Sequence, residues 1–212
     1  AFGTVTGFFI AYLNVPPFIA TLAMMEIVYG IGLIVTNATP LGGYVEQYTN
    51  VSNGKFLGIN YLIWIAIIVA AITWFIFNMT RHGKYMYAIG GNPQAAEVAG
   101  VPVKLTLILI YMKAAAMYGL AGFMLGAKAG GASVQLGYGY EMEAIAACTI
   151  GGVSVTGGRG KVSSALIGVA VFEFLKTALQ FLGVNPYAQY IALGIIIFIA
   201  ISLDIRKYIA RR

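Results

Sequence analysis

The sequence predicts an all-α fold, a polytopic transmembrane helical bundle with about six to seven spans of about 20 residues each. Hydrophobic residues make up 60% of the 212 residues and charged residues only 9%, against roughly 25% charged in soluble domains. The mean hydropathy is +0.85. The apolar stretches are also continuous, whereas the strands of a closed β-barrel would alternate in polarity. These observations argue against a soluble enzyme, a disordered chain and a nucleic-acid binder.

The predicted helices follow one another from the start of the chain. Residues 1–13 form the end of one span, because two prolines after it break helical hydrogen bonding. Residues 61–78 form the clearest span, since they carry no charge and have a tryptophan near each end as an interfacial anchor. Residues 187–203 form a second clear span. Less pure apolar stretches predict four more spans, at residues 18–36, 105–127, 142–156 and 162–182.

The lysines and arginines at the span ends predict the orientation. Residues 80–104 carry three of them and the C-terminal tail carries four more, and it is cytoplasmic loops that are enriched in such residues. We therefore expect residues 80–104 and the C-terminus to be cytoplasmic. The net charge of +6 then belongs to loops rather than to a nucleic-acid surface. Alternation places residues 157–161 inside and residues 37–60, 129–140 and 183–186 outside.

The loop at residues 80–104 contains its own short helix, predicted at residues 93–99. Asn92 is a good N-cap and Pro93 suits the first helical position. Gly100 can supply the left-handed residue after the helix, and Pro102 prevents its continuation. Two interpretations stay open: an interfacial helix lying on the bilayer, or a rigid knob for a groove on a cytosolic partner. The small side chains of the helix favour the knob.

A glycine-rich turn follows at residues 151–165. Its spacing resembles a phosphate-binding loop, but Gly158 and Arg159 stand where that loop needs Lys and Ser or Thr. We therefore predict a tight turn between two closely packed helices, for which glycine permits positive φ and close backbone approach. The packing glycines are Gly151, Gly152, Gly157, Gly158 and Gly160.

Four ionisable residues lie well inside predicted spans, where each charge costs about 2.5–3.5 kcal/mol on insertion scales. Glu173 and Lys176 are spaced i,i+3 and can neutralise each other. Glu26 has no local partner, so we expect it to line a translocation pathway or to pair with Lys113.

Two further carboxylates, Glu141 and Glu143, stand at the predicted start of a helix. A helix N-terminus favours carboxylates. Capping the helix and contacting a transported substrate are therefore both open.

The sequence carries no set of residues for catalysis. No Ser/His/Asp set, HExxH motif or cofactor fingerprint is present. The single cysteine, Cys148, excludes an internal disulfide and a cysteine-based zinc site. We expect no enzymatic activity in this chain, no metal and no cofactor.

Three long segments carry a resemblance to a known family. They read VPPFIATLAMM at residues 15–25, YAIGGNPQAAEVAGVPV at 87–103 and YEMEAIAACTIGGVSVTGGRGKV at 140–162. With them, the chain resembles the membrane permease subunits of bacterial ABC sugar importers, the ribose/xylose/galactose group. The ending GVNPYAQYIALGIIIF at 183–198 looks most like the galactose/methyl-galactoside permeases. Such permeases are longer at the N-terminus, so we expect this chain to be the C-terminal two-thirds of one.

The resemblance implies one permease domain over residues 1–212, in the bacterial inner membrane, that imports a monosaccharide. Its implied partners are a cytoplasmic ATPase subunit, an extracytoplasmic sugar-binding protein and a second permease copy. Nucleic acid is not an expected partner. Permeases for nucleosides or branched-chain amino acids, and a stand-alone secondary transporter, remain alternatives. Residues 80–104 correspond to the segment that couples to the ATPase, with Gly91, Asn92, Pro93, Gln94, Ala95, Ala96, Glu97 and Gly100 as its expected contacts.

Overall fold

A computed structural model describes residues 1–209, with side chains throughout except at positions 186, 193, 203, 204 and 207–209. Arg211 and Arg212 of the predicted basic tail lie outside the described residues. The chain divides into two compact units, one of residues 1–72 and 96–138 and one of residues 73–95 and 139 onwards. The prediction of a single domain stays a prediction, and each unit is described by itself.

The described residues are mainly helical, as predicted. In chain order the helices are α1 (Phe2–Leu13), α2 (Pro17–Thr36), α3 (Glu46–Asn53), α4 (Tyr61–Met79), α5 (Arg81–Gly91), α6 (Pro93–Val98), α7 (Val103–Ala129), α8 (Tyr140–Ile150), α9 (Val162–Phe181) and α10 (Pro186–Ile209). The strands β1 (Lys55–Phe56) and β2 (Ile59–Asn60) form a short antiparallel hairpin.

The first unit is built on the contact between α1 and α7. Gly3 and Gly7 stand one turn apart on α1, and a Cβ at Gly7 would lie 2.7 Å from Ile108 Cα. A Cβ at Gly3 would meet the carbonyl oxygen of Tyr111. Small residues of this kind let two membrane helices approach at the backbone. The first helix is thereby held along the long seventh one.

Two segments predicted to lie on the same outer side contact each other in this unit. Leu41 and Ala132 exchange two backbone hydrogen bonds of 2.8 Å. Tyr48 donates from its hydroxyl to the Phe123 carbonyl at 2.8 Å, and the two rings meet edge to face. Residues 37–60 therefore lie against the end of α7 and the segment that follows it.

The second unit packs α8 against α9 and α10. Ala146 and Ala147 of α8 are buried together with Phe172 of α9. Gly168 of α9 faces the end of α8 so closely that an added Cβ would lie 2.8 Å from Gly151 Cα. A small-residue face on each helix permits this approach.

Four described helices are long and apolar enough to cross a membrane: α2, α4, α7 and α9. Their bounds lie within two residues of the predictions. The fold class is therefore confirmed as an all-α polytopic bundle. The shorter apolar helices are α1 and residues 187–202 within α10.

The prediction of a span at residues 142–156 is wrong. The helix there, α8, has 11 residues and rises only about 16 Å, roughly half of the hydrocarbon core. It ends at Ile150, with Gly151 as its C-cap, and Gly152 follows with φ of +88°. Residues 153–156 are still uncharged, but the glycine pair stops the helix before it can span.

The loop at residues 80–104 contains two helices, where the sequence predicted one. The additional helix is α5, whose N-cap Thr80 accepts a hydrogen bond from the Gly83 N–H at 3.1 Å. Three glycines within its 11 residues lower its helix propensity. The sequence alone therefore did not indicate it.

Candidate functional site

A cavity of about 470 Å³ opens beside the middle of α2. Its walls are Met25, Glu26 and Tyr29 of α2 and Gln135 and Tyr138 of the α7–α8 connection, residues 130–139. Glu26 stands about halfway along the 20-residue helix. The cavity therefore joins the middle of an apolar helix to a segment that is not helical.

The α7–α8 connection is held in place by its own backbone. Gln135 N–H bonds to Ser133 Oγ at 3.1 Å, and Tyr138 N–H bonds to the Gln135 carbonyl at 3.1 Å. A Cβ at Gly32 of α2 would lie 2.9 Å from Val134 Cγ1, so the connection rests on that helix. These turns fix the direction in which Gln135 and Tyr138 leave the backbone.

Glu26 is exposed on the wall of this cavity. Within the described residues neither Glu26 nor Lys113 forms an ion pair, so the predicted pairing of the two is not formed. In the first unit α1 packs against both α2 and α7, and Glu26 faces the cavity. The other half of the prediction, that Glu26 lines a pathway, stays a prediction.

The carboxylates at the start of α8 divide between two environments. Glu143 Oε2 accepts from Lys176 Nζ at 2.7 Å and Oε1 accepts at 2.9 Å, which joins α8 to α9. Lys176 therefore makes its ion pair with the neighbouring helix, whereas its i,i+3 neighbour Glu173 acts on it as a nearby charge without forming an ion pair. Glu141 is half-buried in the same first turn. Neither carboxylate caps the helix, whose N-cap is Gly139.

The short helix α6 has the caps that the sequence predicts. Asn92 Oδ1 accepts from the Ala95 N–H at 2.9 Å. At the other end, the Gly100 N–H bonds to the Glu97 carbonyl and the Val101 N–H to the Ala96 carbonyl, both at 3.0 Å. With φ of +83° at Gly100, this is a Schellman motif. Both caps are confirmed.

The side chains of α6 differ in exposure. Ala96 is 4% exposed, whereas Val98 is 90% exposed. Gly91, Asn92, Pro93, Gln94, Ala95, Glu97 and Gly100 are exposed. The helix thus presents one side to its own protein, through Ala96, and the other side outward.

The glycine turn lies against α5 in the second unit. A Cβ at Gly158 would lie 2.7 Å from the Gly91 nitrogen, and one at Gly157 would lie 3.2 Å from the Gly90 oxygen. Tyr87 of α5 donates from its hydroxyl to the Gly160 carbonyl at 2.8 Å. The two segments predicted to be cytoplasmic therefore touch at the backbone.

The remaining glycines of the turn have other tasks. Gly151 packs on α9, where a Cβ would lie 3.2 Å from Gly168 Cα. Gly152 meets no atom within 4 Å and is needed for its positive φ. Sequence reasoning identified the turn but not its contact with α5, since nothing in the local sequence records a partner about 70 residues away.

Sequence reasoning also missed most of the cavity. Of its walls it singled out Glu26, because a charge inside an apolar span is conspicuous. Gln135 and Tyr138 lie in a segment that the sequence predicted as an outer loop. The available signal was the closely spaced Gly130, Gly131, Gly137 and Gly139, which indicate turns.

The chain matches a known family over most of its length. Residues 1–201 match the family described as "Branched-chain amino acid transport system / permease component". The galactose/methyl galactoside import permease of Haemophilus influenzae is 42% identical over 99% of this chain and 65% of its own length. The corresponding Escherichia coli protein is also 42% identical, with the same coverage.

A second group of relatives carries a different sugar in its name. The ribose import permease of Escherichia coli is 36% identical over 98% of this chain and 66% of its own length. This chain therefore spans about two-thirds of the length of the curated relatives it matches. No solved structure matches it.

Proposed function

Since this chain belongs to the branched-chain amino acid transport system permease family, we propose that it is the membrane-spanning permease subunit of an ABC importer for a monosaccharide. Galactose, methyl galactoside and ribose are the sugars named for its relatives. In this proposal the chain is not catalytic, and a separate cytoplasmic subunit hydrolyses ATP. The observation that carries the proposal is the doubly capped helix α6 in a chain whose relatives are import permeases.

The coupling segment, residues 80–104, would contact the ATPase through the exposed side of α6. Asn92 and Gly100 fix the two ends of the helix, which makes it rigid. Val98 presents an apolar side chain that is 90% exposed, and Ala95 beside it leaves room for a close contact. Ala96 is buried and would hold the helix on its own protein rather than touch the partner.

The remaining partners follow from the same proposal. The chain crosses the bacterial inner membrane several times, a second copy completes the pore, and an extracytoplasmic binding protein delivers the sugar. The C-terminus and residues 80–104 are cytoplasmic. Glu26 lines the translocation pathway, and Lys113 of the same unit is not among the residues that line its cavity. That Lys113, Glu141 and Glu143 contribute to the pathway stays a prediction.

Two alternatives give different expectations. A permease for nucleosides or branched-chain amino acids would use the same coupling segment with another solute. A stand-alone secondary transporter would need no ATPase, and α6 would then have no partner. Uptake that depends on a co-expressed ATPase would contradict a stand-alone secondary transporter. Competition by unlabelled sugars would contradict a permease for nucleosides or branched-chain amino acids.

The coupling role is tested by placing a large charge on the exposed side of α6. Val98→Arg should abolish most of the ATP-driven sugar uptake while the membrane abundance of the permease stays normal, because the side chain faces outward. The matched control is Val45→Arg, a valine that is 67% exposed in the segment predicted outside. Unchanged stimulation of ATP hydrolysis by the loaded binding protein in Val98→Arg would contradict the coupling role.

The orientation is tested by labelling single cysteines in a Cys148→Ala background. Lys55→Cys should react with an impermeant maleimide added to intact spheroplasts, and Lys84→Cys should react only after the membrane is opened. Both lysines are exposed, so accessibility within the protein is matched. Equal labelling from outside would show that the proposed orientation is wrong.

A further inference from the structure

We propose that the cavity formed by Glu26, Tyr29, Gln135 and Tyr138 is a solute-contact site for a neutral, polyhydroxylated ligand, a pyranose sugar. The inference rests on the proposed function and deepens it by naming contact residues and the chemistry they recognise. It is carried by the composition of the cavity and by its position beside the middle of a membrane helix.

The position of the cavity is unusual for a polar feature. Its α2 wall is halfway along a helix that is long and apolar enough to cross a membrane. Its other wall is a run of turns, and where non-helical backbone reaches the level of the middle of a membrane helix it is tolerated only inside protein or along a water-filled cavity. The exposed Glu26 carboxylate needs water or a polar partner for the same reason. Both walls therefore indicate a hydrated space rather than lipid.

The size of the cavity suits a small solute. Its volume of about 470 Å³ lies within the roughly 300–1,000 Å³ typical of small-molecule sites. The turns of the α7–α8 connection hold Gln135 and Tyr138 in fixed register, and Tyr138 is 78% exposed. The backbone thus holds these two polar side chains in place, and the Tyr138 side chain is open to a solute.

The side chains match the chemistry of a sugar. A pyranose presents a ring of hydroxyl groups and an apolar C–H face. The carboxylate of Glu26 accepts charge-assisted hydrogen bonds from hydroxyls, and the amide of Gln135 both donates and accepts. The rings of Tyr29 and Tyr138 offer an apolar face with a polar tip. These four side chains can satisfy both faces of one sugar.

The same composition disfavours an amino acid. A zwitterionic amino acid carries a carboxylate, which proteins commonly bind with arginine, lysine or a helix N-terminus. Glu26 could pair with the ammonium group of an amino acid, but none of the described residues that line the cavity is a cation for its carboxylate. The lining therefore leaves the carboxylate of an amino acid without a charged partner, whereas a neutral sugar needs none.

The test uses the assembled transporter in proteoliposomes, with its ATPase and binding protein, and compares galactose with its monodeoxy analogues. Glu26→Gln should lower the rate of galactose uptake about tenfold, the effect of weakening one hydrogen bond to a charged group. The analogue that lacks the hydroxyl bound by Glu26 should show little difference between Glu26→Gln and the parental protein. For each sugar, the quantity compared is the ratio of the uptake rate of Glu26→Gln to that of the parental protein. Because the binding protein is unchanged, its own preference for a sugar cancels in this ratio.

Matched variants control for the loss of a carboxylate or a ring. Glu173→Gln removes an exposed carboxylate from another apolar helix, and Tyr118→Ala removes a tyrosine that is 74% exposed outside the cavity. Both should transport galactose at the parental rate, whereas Tyr138→Ala should be slow. Ratios that are equal for galactose and every analogue would overturn the sugar-contact site while leaving sugar import intact. A parental assembly that imports no sugar would overturn the proposed function itself.

A second measurement covers the case in which a variant does not insert. Gln135→Cys in a Cys148→Ala background should react with a water-soluble maleimide, and galactose should suppress that reaction in the working transporter. Lys55→Cys, exposed on the first unit and outside the cavity, should react equally with and without sugar. Reaction of Gln135→Cys that galactose does not slow would contradict a solute at this position.

Discussion

The two connections that flank α8 are alike in composition and opposite in structure. The α7–α8 connection at residues 130–139 and the α8–α9 connection at residues 151–161 both contain several glycines with positive φ. In the first connection the turns hold polar side chains outward around a cavity. In the second connection the backbone itself closes against α5.

The difference lies in what a side chain would meet at each glycine. At Gly130 and Gly139 an added Cβ would meet no atom within 4 Å, so these glycines serve only the left-handed turn. At Gly157 and Gly158 it would meet the backbone of α5 as well. A glycine-rich stretch thus identifies a turn, but its neighbours decide whether the turn is an open rim or a packed joint.

The largest expected effect separates two adjacent glycines of α5. Gly90→Ala should destabilise the protein by about 3 kcal/mol, at the upper end of overpacking costs, because the new Cβ would meet the Gly158 nitrogen. Gly91→Ala should be neutral or stabilise by up to about 1 kcal/mol, because its Cβ meets no atom within 4 Å and alanine favours helix. Thermal unfolding of the purified transporter measures both.

The pair is informative because the two variants make the same substitution at adjacent positions of one helix. Equal unfolding temperatures would show that α5 does not rest on the α8–α9 connection. The packed joint would then be no different from the open rim, and the contrast between the two connections would disappear.

The sequence predicts the long helices well because their information is local. A run of apolar residues of the right length specifies α4 without reference to any neighbour, and its bounds agree within one residue. The caps of α6 are equally local, since Asn92 and Gly100 act within their own turn. Such features can be derived from one segment at a time.

The features that the sequence does not predict depend on distant residues. The end of α8 at Ile150 was missed because the uncharged stretch continues beyond a glycine pair. The sequence offers Glu173 as a neighbour of Lys176 at i,i+3, but it does not indicate the ion pair that Lys176 forms with Glu143 of another helix. The cavity at Glu26 likewise needs residues more than 100 positions away. Packing decides each of these, and no local spacing encodes it.

A smaller effect is expected near the start of α8, which side chains rather than backbone join to α9. Lys176→Met should destabilise by about 2 kcal/mol, because it leaves the Glu143 carboxylate without its charged donor. The cost stays below the roughly 3–5 kcal/mol of fully buried pairs, since the two side chains are 25% and 22% exposed. Chemical unfolding of the purified permease measures it.

The matched control is another lysine within an apolar helix. Lys113→Met removes a half-buried lysine that forms no ion pair with the described residues, and it should be neutral or stabilising. Glu143→Gln combined with Lys176→Met should recover most of the loss. A double variant as unstable as the sum of the two single variants would show that the pair makes no joint contribution.

The smallest expected effect concerns the hydroxyl that completes the packed joint. Tyr87→Phe keeps the edge-to-face contact with Phe77, whose ring centroid is 5.9 Å away, and removes only the hydrogen bond to Gly160. The expected loss is about 1 kcal/mol, the usual net value of one neutral hydrogen bond. Tyr85→Phe on the same helix is the control, because the Tyr85 hydroxyl has no hydrogen bond within the described residues.

If α5 transmits the movement of α6 to the α8–α9 connection, Tyr87→Phe should also lower the sugar transported per ATP hydrolysed, and Tyr85→Phe should not. A loss of stability without a loss of transport per ATP would mean that the joint holds the two segments together but does not carry the coupling.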